Sequence, residues 1–302
     1  MKKEAVMKKY TEYIVLVLII IVLTGILIFK KNNRINYVLP KIPNISDDLI
    51  DKISIKNGSA SEIILKKIDN KWIIDRFNYK VDKKKINFIL NDLKNLKITS
   101  LISTNKDYAR YSLDNENGIV VLINLKNGKS FSLIIGKLDP NYSSTYVKLK
   151  NNPNIYLAEG NLRLTFDTNI DELRNKIIFS FNKDNVKWIK ITDHKDIEIK
   201  RQDRRWIVNK KESKNKKTID SLLDNLNNLE CESYLKDKMD LQDYKKLYTI
   251  ELEDDIKTHS LEIFSKKEDK EEKYIGESNE VKEQFVLSNY KIKEIIDLIK
   301  KL

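Results

Sequence analysis

From residue 50 onward the chain alternates apolar and polar positions in short runs, and one arrangement of these runs occurs twice. Residues 70–75 read NKWIID and residues 204–209 read RRWIVN, which places Trp72 and Trp206 134 positions apart. Apolar residues recur at every second position around each tryptophan. Because a period of two is typical of a β-strand with one buried face, each tryptophan is predicted on the second strand of a hairpin, with its ring in a core.

A helical pattern follows each hairpin. Apolar residues at spacings i, i+3, i+4, i+7 and i+10 cover residues 86–96, and the same spacings cover residues 219–229. Such spacing puts a single apolar stripe on an amphipathic helix. Asp82 and Thr218 are the predicted N-caps, since short polar side chains favour that position.

Further alternating runs complete each copy. Residues 118–137 form two runs around an Asn-Gly pair, a strong hairpin signal, and residues 247–266 repeat the alternation without the glycine. A repeat length of about 130 residues is that of a duplicated domain with its own core. The sequence therefore predicts an α+β fold with two tandem repeats of a mostly antiparallel sheet, each with one packed helix, at residues 49–180 and 186–302.

The N-terminal segment is predicted to be a membrane anchor. Residues 13–29 contain no charged residue, and a helix of this length spans about 25 Å, within the range of a single transmembrane helix. A cleaved signal peptide would need small residues after this run, where FKKNN stands instead, and no cysteine is present for lipid attachment. Residues 1–35 are thus expected to hold the anchor, and residues 36–48, with two prolines, an extended linker.

The distribution of charge bears on orientation and on partners. Four lysines precede the apolar run and three basic residues follow it, so we expect the common arrangement, with a short basic N-terminus inside and the rest outside the cytoplasm. The net charge is +12, of which residues 1–36, with seven basic and two acidic residues, contribute +5. The remaining chain mixes both signs, which is not the footprint of a dedicated nucleic-acid-binding protein.

Side chains that commonly carry chemistry are few. The chain has one cysteine, Cys231, and two histidines, His194 and His259. A lone thiol without Cys or His nearby in sequence favours a small core residue over a nucleophile. No HExxH, CxxC or EF-hand pattern occurs, and the seven glycines form no phosphate-binding loop, so no metal and no other cofactor is expected. Three S-x-x-K matches lack companion motifs. The sequence therefore predicts a protein that is not an enzyme.

Two stretches are candidates for contact with a partner. The loop LDPNYSSTYVK at residues 138–148 places Asp139, Tyr142 and Tyr146 among small hydroxyl residues, which could contact a glycan or a peptide. The alternative is a polar turn between two strands.

The second stretch, KRQDRRWIVNKKESKNKK at residues 200–217, is strongly basic. Arg201, Arg204 and Arg205 could contact anionic lipid headgroups, a wall polymer or nucleic acid. The alternative is a solvated hairpin in a chain rich in lysine.

Short motifs of the first copy, taken in order, point to a known family. The motifs are K-W-I in the first hairpin, D-Y-x-x-Y-S-L at 107–113, I-G at 135–136, Y-V at 146–147 and I-Y-L at 155–157. This set resembles domain-of-unknown-function family 4340 over most of residues 50–180 and, more weakly, over the second copy. The family usually has a glycine where Ser112 stands. At the position of the D-Y-x-x-Y-S-L motif, the second copy has only Met-Asp-Leu.

The resemblance implies a membrane-anchored protein with a long part outside the cytoplasm, often encoded beside ABC transporters grouped with gliding-motility auxiliaries. No catalytic residues are established for the family, so none is implied. We therefore expect a single-span, non-enzymatic accessory or binding protein associated with ABC transporter subunits. One alternative is a module that binds an anionic polymer or the cell wall through residues 200–217. Another is an envelope hydrolase, which would need a pocket gathering His194 or His259 with carboxylates.

Overall fold

The chain folds into two nine-stranded antiparallel sheets with helices packed on one face of each, and a short two-stranded sheet. The computed structural model describes residue 10 and residues 13–26, 37–43, 45–203, 205–212, 215–268 and 271–302. The α+β class predicted from the sequence is confirmed.

The first repeat holds nine strands and three helices. The strands are β1 (Ile50–Asn57), β2 (Ile63–Ile68), β3 (Lys71–Ile74), β4 (Tyr79–Lys80), β5 (Ile98–Ser103), β6 (Ile119–Leu125), β7 (Ser130–Leu138), β8 (Ser144–Leu149) and β9 (Ile155–Glu159). Helix α1 covers residues 13–26 and precedes the repeat. The helices of the repeat are α2 (Lys83–Lys94), α3 (Leu162–Phe166) and α4 (Ile170–Leu173).

The second repeat has eleven strands, nine of them in its large sheet and two in the short sheet, and closes with a helix. Its elements are β10 (Ile177–Phe179), β11 (Trp188–Thr192), β12 (Asp196–Gln202), β13 (Arg205–Val208), β14 (Lys211–Glu212), α5 (Lys216–Leu226), β15 (Leu229–Glu230), β16 (Ser233–Tyr234), β17 (Lys245–Glu253), β18 (Thr258–Glu268), β19 (Glu271–Ser278), β20 (Val281–Leu287) and α6 (Asn289–Ile299).

Strand order shows that the two copies share one topology. The first sheet runs β4-β3-β2-β1-β6-β7-β8-β9-β5, and the second runs β14-β13-β12-β11-β17-β18-β19-β20-β16. Each strand of the second sheet takes the place of its sequence counterpart in the first. In both sheets the strand after the first helix returns to the far edge, next to the last strand of the meander.

Each repeat has its own core, as the periodic patterns require. Trp72 packs with the apolar stripe of α2, and Trp206 packs with that of α5; both indoles are buried, as predicted. The sheet residues of these cores alternate with outward-facing ones, so the helices cover one face of each sheet and leave the other face open.

Of three predictions about the helices, one is confirmed and two differ from the structure. The N-cap Asp82 is confirmed, since its carboxylate accepts hydrogen bonds from two backbone N–H groups of α2. Thr218 is not an N-cap, because α5 begins at Lys216 and the cap position is Asn215. One packed helix in each repeat is too few, because α6 buries an additional stripe in the second core and α3 buries two residues in the first.

At both ends of the first repeat, residues outside or near its predicted boundary pack into a core. Leu39, Ile42 and Ile45 lie in the segment predicted as a linker, yet they pack against the first core, and Ile45 is fully buried. At the other end, Ile178 and Phe179 belong to the second core, and β10 pairs with β15. The chain therefore passes between the cores just before β10.

The N-terminal prediction concerns a span at residues 13–29, of which 27–29 lie outside the described residues. Among the residues that are described, no helix combines the length and the apolar character needed to cross a membrane.

Candidate functional site

A column of planar side chains crosses the junction between the two repeats. The rings of Phe77 and Tyr79 are stacked at 5.3 Å, with 10° between their planes. The guanidinium carbon of Arg174 lies 3.5 Å from the centre of the Tyr79 ring and 3.4 Å from the centre of the Tyr234 ring. We call these four residues the junction column. The arginine is held between two aromatic rings, one from each repeat, by cation–π contacts.

Edge strands put these residues in place. Tyr79 lies in β4, the edge strand of the first sheet, and Tyr234 lies in β16, the edge strand of the second. Arg174 follows α4 and forms a β-bridge with Val81, just beyond β4. The Tyr234 hydroxyl donates a 3.0 Å hydrogen bond to the carbonyl of Asn175. The segment after α4 therefore covers one sheet edge and ties it to the other repeat, which protects both short edges.

An ion pair fixes the guanidinium at the junction. Its Nη2 atom lies 2.8 Å from Oε2 of Glu283 in β20, and the Arg174 side chain is only 8% exposed. Burial alone would raise the pKa of Glu283, but hydrogen bonds from Arg174 and Tyr79 and the arginine charge outweigh it, so this pKa is lowered. Burial and the contact with Glu283 raise the pKa of Tyr79. Burial and neighbouring Cys231 raise that of Tyr234.

Two clefts open on the sides of the junction column. The larger has a volume of about 650 Å³ and is lined by both repeats, and the second has a volume of about 450 Å³. Both clefts are lined by the four residues of the column and by Glu283. The column is therefore the common wall between them. A cleft of the larger size, with apolar and polar lining, is typical of a binding site.

The larger cleft presents several polar groups. The Asn57 side-chain nitrogen donates to Asp167 and to the carbonyl of Thr168, whereas its Oδ1 atom is buried and has no hydrogen-bond partner within the described residues. Asp171 from the first repeat and Lys236 from the second also line this cleft, and both are exposed. The cleft thus offers a carboxylate and an ammonium group to a polar ligand.

A buried ionic cluster surrounds His259 in the second repeat. Nδ1 lies 2.6 Å from Oε1 of Glu280, and Nε2 lies 3.2 Å from Oδ2 of Asp254, close enough for an ion pair although not aligned for a hydrogen bond. The rings of Phe179 and Phe181 pack edge-on against the imidazole. This side chain is 2% exposed and lines neither cleft at the junction.

The carboxylates of this cluster are already engaged. Burial would raise the pKa of Asp254, but backbone hydrogen bonds from Lys257 and Ile256, with further contributions from His259 and Asn182, lower it to about 2. Glu280 also pairs with Lys257 at 2.7 Å. The arrangement gathers a histidine with carboxylates; the imidazole itself lines neither cleft, whereas Glu280 and Phe179 line the second one. His194, the other histidine, is exposed beside Asp193.

The residues predicted in the loop at 138–148 do not form one site. The Asp139 carboxylate is buried and accepts hydrogen bonds from the N–H groups of Ser143 and Ser144, which close the loop. The Tyr146 ring packs on Tyr111 at 4.7 Å. Tyr142 is exposed at a φ of 58°. Of the three predicted residues, Tyr142 alone is therefore fully exposed to a partner.

Arg201 and Arg205 are also separate from the junction. Arg201 donates to the carbonyl of Asp184 and lies 5.4 Å from the Trp206 ring. Arg205 is paired with Glu212 at 3.3 Å. Arg204 lies outside the described residues. The structure brings together instead the junction column and Glu283, none of which has a periodic pattern or motif that could reveal it in sequence.

Three of the short motifs of the first repeat, at 107–113, 135–136 and 146–147, meet at one place. The segment at 107–113 crosses the outer side of β7 and β8, where Tyr111 meets Tyr146. Gly136 permits this crossing, because a Cβ atom there would lie 2.2 Å from the carbonyl oxygen of Tyr111. Ser112 has a φ of 55°, in the left-handed region that favours glycine.

The family model for "Domain of unknown function (DUF4340)" matches residues 72–248. The chain belongs to this family. The DUF4340 match begins in β3 of the first repeat and ends in β17 of the second, so it reaches further into the second copy than the motifs alone suggest. It contains the whole junction column but not Glu283. Searches among curated proteins and among solved structures gave no match.

Proposed function

We propose that this protein is a membrane-anchored, extracytoplasmic accessory protein without enzymatic activity, which binds a partner in the larger cleft at the repeat junction. The observation that carries the proposal is the cleft itself. It has a volume of about 650 Å³, draws its lining from both repeats and has the junction column as a wall. A cleft shared by two packed domains is a common place for a binding site.

The lining of the cleft supports binding rather than mere packing. The unpartnered Oδ1 atom of Asn57 is a buried acceptor, and burying an acceptor without a donor costs about 1–3 kcal/mol. A ligand in the cleft would recover this cost if the Asn57 side chain turned its Oδ1 atom, which is sealed from solvent here, toward it. The exposed Asp171 and Lys236 lie on different repeats, so a partner that contacts both would bridge them.

The proposed anchor is the uncharged run at residues 13–29, with the N-terminus inside and the repeats outside the cytoplasm. The proposed partner is a membrane subunit of an ABC transporter. That part of the proposal is supported by the family resemblance, since members are often encoded beside such transporters.

Site-specific photo-crosslinking tests the cleft. A photoreactive residue replaces Ala60 or Lys236 at the cleft, and Lys94, exposed on α2, serves as the control position. After irradiation of intact cells, we expect adducts from the two cleft positions and none from the control. Mass spectrometry then identifies the captured protein.

The outcomes separate the two parts of the proposal. An adduct with an ABC permease supports both the cleft and the transporter partner. If only the cleft positions capture a protein and it is an unrelated envelope protein, the cleft is supported as the binding site and the transporter is rejected as the partner. Equal adducts from cleft and control positions, or none from the cleft, would contradict binding there.

The polyanion-binding alternative is weaker for residues 200–217. Lys200 is paired with Glu198 at 2.8 Å and Arg205 with Glu212 at 3.3 Å. A polyanion would have to displace these carboxylates, so its net gain at this stretch is small.

A further inference from the structure

The open face of the first sheet, opposite its helices, is basic. Cross-strand register places Lys80, Lys66 and Lys52 in one row and Lys56 and Lys148 at the ends of another. Residues paired across antiparallel strands point to the same side of a sheet. No acidic residue occurs in these rows or in the row between them. We call this surface, defined by its five lysines, the basic face.

Apolar side chains occupy the centre of the basic face. Ile64 and Leu122 lie in the row between the two lysine rows. Val120 and Ile134 lie between Lys56 and Lys148, and Val120 is 37% exposed. The surface is thus apolar in the middle and positive around it, and the segment at 107–113 crosses the sheet beside Lys148.

The equivalent face of the second sheet has the opposite charge. The same register places six glutamates there: Glu198, Glu212, Glu251, Glu253, Glu262 and Glu277. Three of them stand where the first sheet has Ile64, Leu122 and Ile134. The two lysines of these rows, Lys190 and Lys200, pair with Asp196 and Glu198. Strand order is the same in both repeats, so the difference lies in side chains alone.

We propose that the basic face of the first repeat docks on an anionic membrane surface. This inference rests on the proposed membrane anchor and specifies which surface the anchored protein turns toward the bilayer. Lysines around an apolar centre suit anionic headgroups and the boundary of the acyl chains. The glutamates of the second repeat are repelled by the same surface.

Chain length supports this partner. Leu39 already packs against the first core, so only residues 30–38 separate the end of the apolar run from the folded repeat. Nine residues reach at most about 30 Å when fully extended. A bilayer that holds residues 13–29 therefore keeps the first repeat within that distance of its headgroups.

The lysines of the basic face are available for such a contact. Lys56 and Lys80 are exposed, and Lys52 and Lys66 are half-buried. None of these four has an ion-pair partner among the described residues. Lys148 lies 4.2 Å from the centre of the Tyr108 ring, so its charge is held at the face.

Amine labelling of the full chain in proteoliposomes tests the proposal. A membrane-impermeant acylating reagent is applied to vesicles of phosphatidylcholine alone and to vesicles that also contain phosphatidylglycerol, and each lysine is quantified by mass spectrometry. We expect labelling of Lys52, Lys56 and Lys66 to fall several-fold in the anionic vesicles and to recover in high salt. Lys84 and Lys94, exposed on α2, are internal controls whose labelling should not change.

A matched pair of variants shows that the basic face itself makes the contact. The triple variant Lys52→Gln, Lys56→Gln, Lys66→Gln should lose the protection of Lys80. The triple variant Lys83→Gln, Lys84→Gln, Lys94→Gln removes the same charge from the helix face and should keep that protection. Equal labelling of the basic face in both lipid mixtures would overturn the proposal.

Flotation after an alkaline wash separates this inference from the anchor. If the protein floats with neutral vesicles after the wash but its basic face is not protected, the anchor is supported and the docking is rejected. Flotation with anionic vesicles alone that the alkaline wash abolishes, together with protection before the wash, removes the anchor and supports the docking. Protection by soluble polyphosphate but not by anionic vesicles would make a soluble polyanion the occupant and overturn membrane docking.

Discussion

At the residue scale, Arg174 is the side chain on which the junction depends most. Its two flat faces contact Tyr79 and Tyr234, while its edge donates to Glu283. A guanidinium can do all three at once because it is planar and carries five N–H donors. A lysine could pair with the carboxylate but could not stack between two rings.

Replacing Arg174 should weaken the coupling between the repeats. Arg174→Ala leaves Glu283 without its partner and removes two cation–π contacts, so we expect a loss of about 2–3 kcal/mol in the free energy of unfolding. Arg174→Lys should lose about half as much. Urea unfolding followed by tryptophan fluorescence measures both.

The tryptophans report each repeat separately. Trp72 lies in the first core and Trp206 in the second, so Trp→Phe variants assign the signal. We expect coincident transitions in the wild type and separate ones in Arg174→Ala. Arg205→Ala, which breaks an exposed ion pair, is the control and should cost less than about 1 kcal/mol. Coincident transitions in Arg174→Ala would contradict this role.

The cluster around His259 predicts a specific pH dependence. The pKa of Asp254 falls from 3.8 to about 2 in the folded protein. A lowered pKa means that the carboxylate stabilises the fold fully above its ordinary pKa and that this contribution is lost as pH falls from about 3.8 to about 2. Asp254→Asn removes the titration, so the difference in unfolding free energy between wild type and variant should shrink over that window. A difference that stays constant between pH 5 and pH 2 would contradict this assignment.

Sequence reasoning could not find the junction column. Tyr79 and Tyr234 lie in two-residue edge strands, which are too short to show alternation, and Arg174 lies between the repeats. Their proximity depends on how two sheet edges meet, and no local pattern encodes that. Trp72, Trp206 and Cys231 were predictable as core residues, because apolar periodicity and isolation from other reactive groups are local properties.

At the element scale, β7 illustrates how a strand accommodates a crossing segment. The backbone of Tyr111 and the side chain of Leu113 lie directly over Gly136. A glycine in a strand costs conformational entropy, and here it permits the close approach of another backbone. The motifs at 107–113, 135–136 and 146–147 are therefore neighbours in space although they are 20 to 40 residues apart.

Gly136→Ala should destabilise the first repeat. The new methyl group would meet a backbone carbonyl oxygen at 2.2 Å, so we expect a loss of about 1–3 kcal/mol by urea unfolding. Ser132→Ala, on the same strand and half-buried, is the control and should change stability by no more than about 0.5 kcal/mol. Ser112→Gly should not destabilise, since it relieves a left-handed backbone. A neutral Gly136→Ala would show that the crossing segment can move away.

Elements with strong periodicity were predictable, and those without it were not. The hairpin around Asn127 and Gly128 and the stripes of α2 and α5 are confirmed. The helix α6 was not expected, although Ile292, Ile295 and Ile299 form a helical stripe. The repeated pattern covers only the first helix of each copy. The position of the α5 cap also differs by three residues, since several polar residues precede that helix.

At the scale of the whole molecule, duplication has kept the topology and changed the surface. The two sheets have the same strand order, yet their open faces differ in charge. The linear sequence hid this difference, because the cluster at residues 200–217 dominates any count of charge along the chain. In the folded protein, alternation sends neighbouring residues to opposite faces. Lys200 pairs with Glu198 of its own strand, and Arg205 pairs with Glu212 of the adjacent strand.

The most direct test of the account is the membrane topology of the chain. Cys231 is buried and its pKa is raised to about 11, chiefly by burial, so the native protein should not react with a membrane-impermeant maleimide. Lys94→Cys then reports the repeats, and Lys3→Cys reports the N-terminus. If the repeats lie outside the cytoplasm, we expect labelling of Lys94→Cys in intact cells and of Lys3→Cys only after permeabilisation. The reverse pattern would place the repeats inside the cytoplasm and contradict the proposed function.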